Sequence, residues 1–127
     1  MSVGMRVDVV VVTHQSAVLL PRCLDALPPS VEVVVVDNAS TDASAEVAAS
    51  QGATVIRNTA NLGFARAANQ GAARGDGELI LFLNPDASIV ARDLEELIEH
   101  LGAAPARAVV GPRLVAPDGR ERPRGAR

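Results

Sequence analysis

Four apolar runs in this chain each give way to a short polar cluster: VDVVVVTHQS, VEVVVVDNASTD, TVIRNTANLGFA and ELILFLNPDAS. Val7 to Val12 and Val31 to Val36 are unbroken but for a single acidic residue each, and do not alternate apolar with polar, the signature of strands covered on both faces. Helix-length segments with start and stop signals separate them. The spacing predicts helices over Leu20 to Leu27, with Pro21 in the first turn, and over Asp42 to Gln51, behind Thr41 as N-cap and before Gly52. A third runs from Phe64 to Arg74, closed by Gly75-Asp76-Gly77, and a fourth from Ala91 to Leu101, ending at Gly102.

Strands and helices thus alternate, with Ala108 to Gly111 as a fifth short strand. The architecture this predicts is α/β, a doubly wound, mostly parallel sheet in three layers, α/β/α. Right-handed crossovers put helices on both faces. Ligands bind such sheets at the carboxyl ends of the strands. Thr13, Asp37, Asn58 and Asn84-Pro85-Asp86 are therefore expected to converge on one rim. One domain is expected over residues 1–119, and a disordered tail over 120–127, where arginine, proline and glycine offer nothing apolar to anchor the chain.

Composition narrows the partners. The net charge of -3 over 127 residues gives no mass attraction to nucleic acid, and all basic residues are arginines. Phe64 and Phe82 are the only aromatics, too few for a base-stacking platform. Nucleic acid is not expected as a partner. Cys23, the lone cysteine, reads as a buried structural thiol between Leu20 and Leu27. No stretch is apolar for long enough to span a membrane, and the amino-terminal run is too short for a signal sequence, so a cytoplasmic protein is expected. Without a lysine there is no P-loop, no G-x-G-x-x-G follows a strand, and the acidic cluster of a receiver domain is replaced by Thr13-His14.

The polar clusters carry the chemistry. Asp37 leaves the second strand as a carboxylate, which repels phosphate and suits a base N–H or a ribose hydroxyl. Asn38, Ser40, Thr41 and Asp42 behind it read either as ligand contacts or as caps of the next helix. Asp86, stiffened by Pro85, can hold Mg²⁺ or Mn²⁺ through one or two oxygens while substrate phosphates supply others. Asn-Pro-Asp is also an ordinary turn sequence. Asn61 to Gly71 opens the third helix with Gly63 and puts Ala65, Ala68 and Asn69 on one face, suited to close approach to a neighbour or a ligand. Arg57 and Arg66 flank it as candidates for phosphate or base contact. His14 and His100 lack the companions of a metal site and read as non-catalytic.

Taken in order and spacing, V-V-V-V-T-H, V-V-V-V-D-N-A-S-T-D, N-L-G-F-A-x-A-x-N-Q-G and E-L-I-L-F-L-N-P-D-A resemble the family 2 glycosyltransferases, in particular bacterial rhamnosyltransferase-like members. The likeness runs from about Val7 to Pro117. It implies a GT-A fold and an inverting transfer from a nucleoside-diphosphate sugar such as a UDP- or dTDP-sugar. Thr13 and Asp37, with Asn38, would face the nucleoside; Asn61, Gly63 and Asn69 would lie beside nucleotide and sugar. Asn84 and Asp86 fall on the family's D-x-D signature. Asn84 replaces its first aspartate, leaving metal coordination to Asp86 and a ribose or sugar contact to Asn84. Gln15 stands where relatives usually carry Asn, a change expected to be tolerated.

Relatives continue for well over a hundred further residues, which hold the acceptor site and the base carboxylate. The resemblance therefore implies the donor-binding half alone, with no catalytic base in this chain. The alternative is a non-catalytic module that binds nucleotide or self-associates through exposed apolar surface. Peripheral contact with the inner face of the membrane is compatible with either.

Overall fold

The structure, a computed structural model, describes residues 5–102 together with Val109, Asp118 and Arg120. Its elements follow the order β1 (Val7–Thr13), α1 (Leu20–Asp25), β2 (Glu32–Asn38), α2 (Ser44–Ser50), β3 (Thr54–Asn58), α3 (Phe64–Arg74), β4 (Leu79–Phe82) and α4 (Ala91–Gly102). The four strands form one parallel sheet in the order β3-β2-β1-β4. Residues 5–91 hold the sheet and its first three helices; α4 falls almost wholly in a second unit from Arg92 onward and is amphipathic.

The chain steps outward from β1 to β2 to β3, then doubles back to place β4 on the far side of β1. Right-handed crossovers in opposite directions put their helices on opposite faces. Accordingly α1 and α2 pack on each other, and α2 covers β2 and β3, while α3 returns across β1 and β2 on the other face. The doubly wound α/β/α sheet expected from the sequence is the one observed.

Alternation along the strands decides what each face buries. Val34 and Val36 form a cluster with Ala67 of α3, flanked by Val12 and Ile56. Val9, Val11 and Val35 point the opposite way, and all three are fully buried with Leu20 and Cys23. The central strands β1 and β2 are buried on both sides over most of their length, as their valine runs require, while β3 and β4 stay partly exposed.

The third helix meets the sheet through its smallest residues. Ala67, Ala68 and Gly71 are buried, whereas Ala65 and Asn69 of the small-residue face read from the sequence are exposed. A Cβ on Gly71 would sit 2.4 Å from Val10 Cγ1 and 3.2 Å from Val36 Cγ2, so only glycine permits this approach. At the opposite, amino-terminal end of the sheet, the buried carboxylate of Asp8 accepts the Gly77 N–H at 2.7 Å. A Cβ on Gly75 or Gly77 would fall 2.1 or 2.8 Å from that carboxylate. The turn after α3 is glycine-rich because it wraps a buried charge.

Four boundaries differ from expectation. β1 and β2 run on through Thr13 and Asn38, so Thr13, Asp37 and Asn38 belong to strands rather than to the loops after them. α1 stops at Asp25, short of Leu27. α2 begins at Ser44, because the Thr41 and Asp42 N–H groups are taken by the Gln15 side chain and Asp42 itself accepts the Ser44 N–H at 2.9 Å. Thr41 is therefore not the N-cap. The fifth strand at Ala108 to Gly111, the domain limit at 119 and the tail over 120–127 lie outside the described residues, apart from Val109 and Arg120.

Candidate functional site

The doubling back of the chain creates a switch point between β1 and β4, and in open sheets the crevice outside the carboxyl ends at such a point is where ligands bind. The β1 end brings Thr13 to it and the segment after β4 brings Asn84, Pro85 and Asp86. α1 supports this segment: the Cys23 thiol donates to the Asn84 carbonyl oxygen at 3.6 Å. Burial, and behind it the negative charge of Asp86, push the Cys23 thiol up to about 11. A thiol so placed stays protonated and inert, in keeping with the structural reading of Cys23.

Alternation splits the β2 end into two sets. Asp37 pairs in register with Thr13 on one side and Arg57 on the other, and these three share the face covered by α1 and α2. Thr13 is fully buried and its Oγ1 has no hydrogen-bond partner among the described residues. Asp37, only 4% exposed, accepts the Ser40 hydroxyl proton on Oδ1. Arg57 reaches away to Glu46 of α2 at 3.3 Å, an exposed pair.

Asn38 faces the other way, toward α3. Its amide nitrogen donates to the Gly63 carbonyl at 3.2 Å, and its Oδ1 accepts from Asn58 Nδ2 at 2.9 Å and from the Leu62 N–H at 3.4 Å. Asn58 and Gln70 exchange hydrogen bonds at 2.8 and 3.0 Å. A ladder of amides thus ties β2 to the start of α3 and β3 to Gln70 further along it. Asn61 adds an Oδ1 contact to the Gly63 N–H at 2.9 Å, and Gly63 takes φ +82, which a side chain disfavours. Asn69 stands exposed one turn further on and makes no hydrogen bond to the others among the described residues.

The loops after β1 and β2 are laced to each other. His14 Nδ1 lies 2.7 Å from the Asn38 carbonyl oxygen, so Nδ1 carries the proton and donates. Gln15, given no role in ligand binding from sequence, and Asp42, read there as a ligand contact or a helix cap, supply most of the remaining cross-links, with Ser44 receiving the Ser16 N–H on its hydroxyl at 2.9 Å. Hydrogen bonds from Ser44 and from the Ala17 N–H hold the Asp42 carboxyl below its ordinary range. A single-sequence reading gives no periodic signal for such loop-to-loop pairs.

Among the described residues no group of three or more His, Cys, Asp or Glu side chains is arranged to hold a metal. Asp86 and Asn84, both exposed, offer the one or two oxygens that suit Mg²⁺ or Mn²⁺ bound jointly with substrate phosphates. Chemically the rim offers buried and half-buried acceptors at β2 and an exposed carboxylate across the switch point.

The comparisons with known proteins agree with this geometry. The family described as "Glycosyl transferase family 2" matches residues 8–127. An uncharacterised glycosyltransferase of Mycobacterium bovis is 35% identical over 82 residues, which cover 65% of this chain and 37% of that protein. A TPR repeat-containing protein of Synechococcus elongatus is 31% identical over 97 residues, 76% of this chain and 24% of its own length. A mannosyltransferase from Pyrobaculum calidifontis, solved in complex with GDP-Man and Mn²⁺, superposes with a TM-score of 0.73 at 29% identity, over 90% of this chain and 36% of that one. Staphylococcus aureus TarS 1-349 with UDP-GlcNAc shares the fold at TM-score 0.69 and 22% identity, over 84% of this chain and 37% of its own. The chain spans about a quarter to two fifths of the length of these relatives. With the switch-point rim, the parallel sheet and a match over nearly its whole length, the chain belongs to glycosyl transferase family 2.

Proposed function

We propose that this chain forms the donor-binding part of a glycosyltransferase that takes a nucleoside-diphosphate sugar, such as a UDP- or dTDP-sugar, and transfers the sugar with inversion. The observation that carries this reading is the rim itself, with nucleoside-suited acceptors at the ends of β1 and β2 and an exposed carboxylate across the switch point. Solved relatives support it, because their complexes hold GDP-Man with Mn²⁺, UDP-GlcNAc and UDP.

In this reading Thr13 and Asp37 accept or share protons with the base and ribose. Asn38 orders the wall of the site through the amide ladder, and Asn61, Gly63 and Asn69 line the nucleotide and sugar side. Asn84 hydrogen-bonds ribose or sugar. Asp86 would hold Mg²⁺ or Mn²⁺, and the chemistry supplied there when the ion is bound is neutralisation of charge on the departing diphosphate. Deprotonating the acceptor hydroxyl needs a base, a role assigned to none of these residues. The family and its named transferases favour this reading over a module that only binds. No helix of the described residues is long and apolar enough to cross a membrane, and we place the reaction in the cytoplasm, at or near the inner membrane face.

Calorimetry with UDP and dTDP, each with and without Mn²⁺, tests the assignment. Binding that Mn²⁺ strengthens, and that Asp86→Asn makes indifferent to Mn²⁺, is expected. No heat and no thermal stabilisation under any of these conditions would sink it.

A further inference from the structure

Gln15 joins the two loops at the nucleoside end of the rim. Its backbone N–H donates to Ser40 Oγ at 2.9 Å, and the Ser40 hydroxyl in turn donates to Asp37 Oδ1. Its side-chain Oε1 accepts the N–H groups of Thr41 at 2.6 Å and Asp42 at 3.2 Å, while Nε2 donates to Thr41 Oγ1 at 2.8 Å. One residue of the β1–α1 loop therefore satisfies three successive residues of the β2–α2 loop.

The backbone bears the mark of this arrangement. Among the described residues, Gln15 and Ala39 are the non-glycine residues with positive φ, at 55° and 57°, and they stand just past the ends of the paired strands β1 and β2. Left-handed backbone at a residue with a side chain persists only where its surroundings over-determine it. Here the surroundings are the hydrogen bonds that lead to Asp37.

We propose that Gln15 is a positioning residue for nucleoside recognition: acting through Ser40, it fixes the Asp37 carboxylate at the end of β2. This rests on the donor-site reading above and adds to it a residue that acts on the nucleoside end without touching the diphosphate end. A carboxylate with one oxygen committed to Ser40 keeps a defined second oxygen for a ligand donor, such as a base N–H. Released from Ser40, the same side chain must be ordered when the ligand arrives, and that ordering weakens binding.

The experiment measures affinities of the whole chain for uridine and, separately, for pyrophosphate with Mn²⁺. Gln15→Gly removes the side chain and suits the positive φ, Ser40→Ala removes the relay hydroxyl, and Gln15→Glu keeps an acceptor for both N–H groups. Ser40→Ala is expected to weaken uridine roughly tenfold, the loss of one hydrogen bond to a charged group, and Gln15→Gly, which keeps the backbone N–H to Ser40 but frees the Thr41 and Asp42 N–H groups that hold the loop, to weaken it by no more than that. Both leave pyrophosphate unchanged, and Gln15→Glu stays near wild type. The double variant should lose no more than the worse single one, since residues acting through one path do not add. Additive losses, or equal weakening of both probes, overturn the proposal. A second readout needs no ligand: the Asp37 carboxyl carbon resonance should move in the same direction in Gln15→Gly and Ser40→Ala and stay in Gln15→Glu. If that resonance does not move in Ser40→Ala, the relay is refuted. If it moves as expected while wild type binds neither probe, the positioning role stands and the donor-site reading fails.

Discussion

Gly71 and Thr13 show how single atoms set the limits of this sheet. Gly71 faces Val10 at a distance no side chain tolerates, since a Cβ would lie 2.4 Å from Val10 Cγ1. Gly71→Ala is therefore expected to lower stability by about 1–3 kcal/mol, the usual cost of overpacking. Chemical denaturation checks it, and an unchanged midpoint would mean that α3 shifts freely on the sheet. Thr13 presents the reverse case. Its buried hydroxyl has no partner among the described residues, a situation that costs roughly 1–3 kcal/mol. Thr13→Val, which removes the hydroxyl at nearly constant volume, should raise the melting temperature and weaken uridine binding. A variant that melts lower, or binds uridine as wild type does, would show that the hydroxyl has a hidden partner or no ligand role.

Among the elements, α2 and α3 are placed by polar links that begin on strands and loops. The start of α2 depends on Asp42, whose carboxyl is held below its ordinary value of 3.8 mainly by the Ser44 hydroxyl. Its contribution is present above the unfolded value and disappears as pH falls through the lower folded value, a window below about pH 4. Wild type should lose stability across that window more steeply than Asp42→Asn, as thermal melts at successive pH values would reveal; parallel curves would contradict it. The start of α3 depends on Asn38, which is satisfied by Gly63, Leu62 and Asn58 together. Asn38→Ala should deprive the Gly63 carbonyl and the Leu62 N–H of their side-chain partner and speed amide exchange from Leu62 to Ala67, while β1 keeps its protection. Uniform loss of protection across the sheet would instead assign Asn38 to global stability. The helix segments themselves were readable from Pro21 and the glycine stops, and α3 matches its expected bounds, whereas the cap read at Thr41 is not one. The amide ladder and the Gln15 cross-links were not readable, because they join residues 12 or more positions apart whose side chains carry no period.

For the whole molecule, β4 is one of the two edge strands of the described sheet, β3 being the other, and it exposes Ile80 at 43% and Phe82 at 50%. An apolar edge of this kind invites pairing with another chain. The expected outcome is self-association at high concentration, with a light-scattering mass that grows and that Phe82→Lys brings back to the monomer; a constant monomer mass in wild type would refute it. Valine runs sufficed to determine the parallel α/β sheet, because burial on both faces imposes a pattern that survives in one dimension, while the strand-end clusters carried the resemblance to the family. Tertiary structure alone decided how the rim is divided. Register and alternation send Thr13 and Asp37 to one face and Asn38 and Asn58 to the other, so that adjacent letters in the chain serve different walls of the site. The same geometry turned Gln15 from a tolerated replacement into the link between two loops, since a hydrogen bond is fixed by distance in space and leaves no trace in sequence spacing.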